Sequence, residues 1–239
     1  MKLNLITLKK NKLLTKNKIS IVGSRRPNSY TKKFTYALAQ KLSNKGICIV
    51  SGVAMGVDAL AHNGAGYNNT IAVVANGLNI RYPAVNTNLI KNIETQGLML
   101  SQYKEDEKAR PYTFVQRNEI VVALGDILIV TQANRNSGSL RSVEFAHKMG
   151  KRIYTLPHRL DESLGTQDLV KQGIANVIFD IDEFIETLGY KTSPSCEDEI
   201  LEFCKKYPTY DEAVSLFGEK IFEYELLGKI RIDNGIIKV

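Results

Sequence analysis

From residue 19 onward the chain alternates short apolar runs with longer stretches in which apolar residues recur every three or four positions. The runs 19–22, 47–50, 71–74, 98–100, 127–130, 153–156 and 177–179 have strand length and are dominated by Ile, Val and Leu. Continuous runs of this kind mark strands buried on both faces of a parallel sheet. The stretches between them predict helices over 31–44, 57–65, 86–95, 113–124, 140–149 and 166–172; in the first, Phe34, Leu38 and Leu42 stand four apart. Strand and helix in alternation, with no two-residue hairpin turn before the last few residues, predict βαβ units and a mostly parallel α/β sheet.

The pattern lapses at 191–196, where Thr-Ser-Pro-Ser reads as a linker. Residues 197–239 then predict a small unit: a helix over 197–206, a helix start at Pro208-Thr209-Tyr210-Asp211, a helix over 220–227, and a β-hairpin turning at Asp233-Asn234-Gly235. Three short helices and a terminal hairpin describe a winged helix. Residues 1–18 read as a basic, amphipathic leader ahead of the 19–190 domain.

The turns after the strands carry the candidate chemistry. Strand 19–22 breaks into Gly23-Ser24-Arg25-Arg26 and is followed by a helical pattern, an arrangement in which backbone N–H groups and a helix N-terminus favour an anion. A dinucleotide would need three glycines at G-x-G-x-x-G spacing, and only Gly23 is present. Ser24 and the Arg25 fork suit a phosphate instead. The turns 51–58 and 136–139 also follow apolar runs, and in a parallel sheet such turns gather on one edge. Ser137-Gly138-Ser139 opens a helix and is flanked by Arg135 and Arg141, so the three turns form one candidate anion groove. The stretch Arg110-Pro111-Tyr112-Thr113-Phe114-Val115-Gln116-Arg117-Asn118 interleaves cations with aromatic rings, as single-stranded nucleic acid requires. The competing reading makes Phe114 a core residue and Arg117 a solvated one.

Asp58 and His62 stand one helical turn apart. They are either an acid/base pair or, the reading preferred here, side chains whose internal bonds fix their loop; no third residue completes a triad. Glu144 is either a general base or a solvated surface carboxylate, and His147 and His158 lack partners at metal spacing, so no catalytic residue, metal or cofactor is assigned.

Charge sharpens the choice of partner. The net charge is +7, but residues 1–18 hold six lysines and no acid, whereas residues 196–239 hold ten acids against six bases. Attraction for a polyanion therefore lies before the tail. The three cysteines, Cys48, Cys196 and Cys204, have no metal spacing and read as reduced structural thiols of a cytoplasmic protein. No apolar run approaches the roughly 20 residues of a membrane span.

With these residues in hand, the chain resembles the DNA-processing protein A (DprA/Smf) family. The likeness rests on Val22-Gly23-Ser24-Arg25, Ser51-Gly52 with Gly56-Val57-Asp58 and Ala61-His62, Thr70-Ile71-Ala72-Val73 with Gly77 and Tyr82-Pro83, Phe114 with Arg117-Asn118, and Ser137-Gly138-Ser139-Leu140, all in the family's order. The resemblance implies an extended Rossmann-like fold and a homodimer without catalysis or cofactor. It implies binding and protection of single-stranded DNA during natural transformation, and loading of the RecA recombinase. Carried over by position, Arg25 is the phosphate clamp, Phe114 and Arg117 fall at the DNA pocket, and Arg110 matches more loosely. Where the family usually reads Arg-Asn-Arg this chain has Arg117-Asn118-Glu119, and a Ser-Glu-Tyr motif appears as Ser101-Gln102-Tyr103. An alternative from another class is a nucleotide phosphoribohydrolase of the lysine-decarboxylase-like group, with Glu144 as its base.

Overall fold

The computed structural model describes residues 6–7, 12–189, 196–226, 228–233 and 235–239, and the chain divides into two compact units, Met1–Lys191 and Thr192–Val239. The first unit runs, in order, β1 (Ile6–Thr7), β2 (Lys18–Val22), α1 (Ser29–Asn44), β3 (Cys48–Ser51), α2 (Val57–Ala65), β4 (Thr70–Val73), α3 (Thr87–Gln96) and β5 (Leu98–Ser101). It continues through α4 (Pro111–Leu124), β6 (Ile127–Val130), α5 (Ser139–Lys148), β7 (Ile153–Thr155), α6 (Leu164–Lys171), β8 (Asn176–Val177) and α7 (Ile181–Thr187).

The strands form one sheet in the order β1-β5-β4-β3-β2-β6-β7-β8. Seven are parallel, and β1 pairs antiparallel with β5 through Ile6↔Ser101 and Thr7↔Leu100. Alternation along the strands sends side chains to two cores. Ile19, Ile21, Ile49 and Ile129 meet Leu38 and Leu42 of α1 and Ala61 of α2 on one face. Val22, Val50, Val73 and Val130 meet Val121 of α4 and Val143 of α5 on the other. Helices thus cover both faces, and the direction of winding reverses between β2 and β6. In open α/β sheets the crevice at such a switch point, beyond the strands' carboxyl ends, is the ligand site.

Several sequence expectations are corrected. Residues 1–18 are not a separate leader throughout: β1 joins the sheet edge, a 3-10 turn spans Lys12–Thr15 with Leu13 buried, and Lys18 already belongs to β2. Phe179 is not in a strand; β8 ends at Val177 and Phe179 is 83% exposed. Helix α7 was not expected, though Asp180 caps it by accepting from the Asp182 and Glu183 amides. Residues 191–195 of the predicted linker lie outside the described residues, and Cys196 already begins a helix.

The second unit contains α8 (Cys196–Cys204), α9 (Tyr210–Phe217), α10 (Lys220–Leu226) and an antiparallel hairpin of β9 (Arg231–Asp233) and β10 (Ile236–Lys238). Thr209 and Glu212 start α9 with a reciprocal capping box: the Thr209 amide donates to the Glu212 carboxylate at 2.9 Å, and the Glu212 amide donates to Thr209 Oγ1 at 3.3 Å. Ile200, Cys204, Ala213, Ile221, Tyr224, Ile230 and Ile237 form its own core.

Candidate nucleic-acid interface

The Gly23 turn leaves the sheet where β2 adjoins β6, and its neighbours hold it on three sides. The Ser24 amide donates to Gln132 O at 2.8 Å, the Val57 amide to Ser24 O at 3.1 Å, and Ser139 Oγ to Gly23 O at 2.9 Å. Gly56 makes the second contact possible. It has a φ of +80°, and a Cβ there would lie 2.4 Å from Ser24 O, so only glycine fits. The sequence suggested a strand–glycine–helix cradle of free amides, and the structure corrects this. Ser24 N–H is spent on Gln132, the Arg26 amide donates to Ser24 Oγ at 3.1 Å, and α1 begins only at Ser29, capped by Asn28. Two of the turn's amides are thereby spent, and the exposed Arg25 and Arg26 side chains stand beside them.

Arg25 is exposed and lies over the Phe114 ring, with its guanidinium carbon 5.6 Å from the ring centroid, within cation–π range. Phe114 is half-buried, and the Tyr82 ring lies 6.0 Å from it between centroids. Arg25 and Phe114 line a cleft of about 660 Å³ together with Gly23, Ser24, Arg117 and Asn118. The Ser137-Gly138-Ser139 turn and Arg141 line the same cleft. Beneath Phe114 a small pocket of about 40 Å³, lined by Val53, Met55, Ala75 and Tyr82, adjoins it. Arg26 and Arg110 are exposed but lie just outside the cleft lining, which on α4 begins at Pro111. Sequence reasoning gave no site role to Tyr82, which walls the smaller adjoining pocket; its signal was the Tyr82-Pro83 pair.

Phe114 and Arg117 exchange the burial that the competing sequence reading gave them. Arg117 is 5% exposed. Its Nη1 donates to Val73 O at 3.0 Å and its Nε to Asn118 Oδ1 at 3.0 Å. Burial lowers its pKa, opposed by the nearby Asp58 carboxylate. Asp58 is buried too; desolvation raises its pKa, opposed by Arg117 and by the Ala54 amide, which donates to Oδ2 at 3.4 Å. His62, also fully buried, bonds the Gly52 carbonyl through Nε2 and Thr70 Oγ1 through Nδ1 at 2.6 Å. Burial pushes its pKa down to about 4. Asp58 and His62 thus fix opposite ends of the 51–58 loop, each through its own bonds.

Outside the cleft, Glu144 is exposed and paired with Arg141 at 2.8 Å, and Arg135 with Asp168 at 2.7 Å. Among the described residues no three His, Cys, Asp or Glu side chains group as metal ligands, and no helix is long and apolar enough to cross a membrane.

A doubly wound, largely parallel α/β sheet with a cleft lined by arginines and Phe114 at its switch point defines the class of Rossmann-like proteins. Within that class the chain belongs to the DNA recombination-mediator protein A family, whose model matches residues 5–189. It is 33% identical over 181 residues to DNA processing protein DprA of Bacillus subtilis, covering 74% of this chain and 61% of that protein. It is 34% identical over 175 residues to Protein Smf of Synechocystis, covering 72% and 44%. The chain therefore spans about half the length of the curated relatives it matches. A solved structure describing the single-stranded DNA binding mode of DNA processing protein A from Helicobacter pylori superposes with a TM-score of 0.77 at 40% identity, covering 79% of this chain and 88% of that one. The corresponding protein of Streptococcus pneumoniae gives a TM-score of 0.71 at 31% identity, covering 79% and 67%.

Proposed function

We propose that this protein binds single-stranded DNA in the switch-point cleft and, as a homodimer, protects the strand and helps load a RecA recombinase on it during natural transformation, without catalysing a reaction. The observation that carries the reading is Arg25 stacked on Phe114 at the cleft wall. A cation for phosphate and a ring face for a base stand within one nucleotide's reach, the pairing that single strands demand. Family membership and the H. pylori relative, whose single-stranded DNA binding mode is described, support the same ligand. Glu144 is turned to Arg141 and lies outside the cleft lining, which disfavours the phosphoribohydrolase alternative. The acidic C-terminal unit, read as a winged helix, contacts protein rather than DNA, since phosphate affinity follows the cations presented.

The test is a gel shift comparing oligo-dT with duplex DNA at low salt. Wild type should favour the single strand, and Arg25→Ala should weaken binding while lowering the slope of log affinity against log salt by about 0.7, the single-strand increment for one phosphate contact. Unchanged affinity in Arg25→Ala, or a preference for duplex, would overturn the proposal.

A further inference from the structure

We infer that Asp58 and Arg117 form a buried positioning pair that sets the distance between Arg25 and Phe114, and that Arg117 does not touch DNA. The inference rests on the single-strand reading above but makes a separate claim about how that site is built.

The two groups crowd the same space over Gly52 and interact through their charges without closing a direct ion pair. A Cβ at that residue would lie 1.8 Å from Arg117 Nη1 and 2.5 Å from Asp58 Oδ2, so the guanidinium and the carboxylate occupy the space where any other residue would have a side chain. From this point bonds run outward to both walls of the cleft. Arg117 ties α4 to the end of β4 through Val73 O, and Phe114 lies one turn earlier on α4. Asp58 holds the Ala54 amide, and so the loop leading to Gly56, which packs on the backbone of Ser24 and Arg25. One wall thus carries the ring and the other the cation, and both are referred to the same buried place over Gly52, where the two charges lie near each other.

Leaving this place to meet a phosphate would strand Asp58 as an uncompensated buried charge, a strongly unfavourable outcome. Opposite buried charges are a weak source of stability compared with apolar packing, but each here also holds a backbone group, Arg117 the Val73 carbonyl and Asp58 the Ala54 amide, and so fixes geometry. That is the property a site with a ring and a cation on separate elements needs. Arg117 is also buried near the exposed Arg25, which further lowers its pKa, so its charge is balanced by Asp58 rather than offered to solvent.

The experiment measures oligo-dT affinity by fluorescence anisotropy across a salt series for wild type, Arg25→Ala, Asp58→Asn, Arg117→Met and the double variant Asp58→Asn/Arg117→Met, with folding checked by circular dichroism. Coupling between neighbouring residues of one buried charge network is commonly large enough for about tenfold effects. Each single variant of the pair should therefore bind about tenfold more weakly with an unchanged salt slope, and the double variant, which leaves no unpaired charge, should regain most of the loss. A purely structural role would not spare the slope and restore affinity together. If Arg117→Met lowers the slope by about 0.7, Arg117 is a phosphate contact and the inference fails. Wild-type affinity in Asp58→Asn also defeats it. Should Arg117→Met fail to fold, Asp58→Asn alone still decides: weaker binding at constant slope supports the pair, and any other result refutes it. If Arg25→Ala binds normally, the single-strand reading itself falls; if Arg25→Ala weakens binding and Asp58→Asn does not, only the positioning role falls.

Discussion

Acid should loosen the cleft through His62 before it unfolds the sheet. The ring is fully buried beside the buried Arg117, and its pKa falls from the ordinary 6.5 to about 4, chiefly by desolvation. In the neutral ring Nε2–H donates to Gly52 O and Nδ1 accepts the single hydroxyl proton of Thr70. The sign of the pH effect follows from the direction of the shift. Below pH 6.5 the unfolded chain binds a proton at this histidine while the folded chain does not, so its contribution is complete above 6.5 and is lost as pH falls to about 4. At 1.36 kcal/mol per pKa unit, the shift is worth about 3 kcal/mol, a large part of the roughly 5 to 15 kcal/mol that holds a typical domain together. Urea denaturation between pH 7.5 and 4, for wild type and for the non-titrating His62→Gln, isolates the group, because the carboxylates that titrate in the same range are common to both. The stability gap between the two proteins should shrink by about 3 kcal/mol on acidification. A constant gap would refute the reasoning. A widening gap would mean that the buried ring is charged, with Nδ1–H donating to Thr70 and the Thr70 hydroxyl to Ile49 O at 2.9 Å.

Two further outcomes follow from the same geometry. Phe114→Ala should weaken oligo-dT binding by about 1 to 3 kcal/mol for the base it stacks, without the change in salt slope expected of Arg25→Ala; titration calorimetry at two salt concentrations checks this, and unaltered affinity would remove Phe114 from the interface. Cys48, a fully buried free thiol whose pKa burial pushes up to about 12, should resist thiol reagents at pH 8 until the protein unfolds; its rapid labelling in native protein, located by peptide mapping, would contradict the packing described.

What the sequence disclosed, and what it withheld, divides along local and non-local physics. Strands such as Ile127–Val130 were legible because burial on both faces leaves a continuous apolar run. Helix α2 was legible over its whole length, Val57–Ala65. The two-residue β1 was not, because nothing in Ile6–Thr7 announces a partner at Leu100 and Ser101. Nor was α7, whose seven residues are shared between acids and a short apolar face around Phe184 and Ile185. At the site, the glycine-arginine turn was visible, but the acceptor of the Ser24 amide, Gln132, lies more than a hundred residues away, and only the fold shows that this amide is already taken. Arg117 is the sharpest case. Its neighbours in sequence are those of a helix-surface cation, and the carboxylate that explains its burial belongs to α2. The correction bears on function, because counting arginines in the motifs overstates the field over the cleft. Arg117 is balanced by Asp58 and Arg141 by Glu144, so the phosphate-facing charge falls chiefly to Arg25, with Arg26 and Arg110 at the rim. With so few free cations lining the cleft among the described residues, the salt dependence should be shallow, and a correspondingly larger share of the affinity must come from the ring of Phe114, whose placement the buried pair controls.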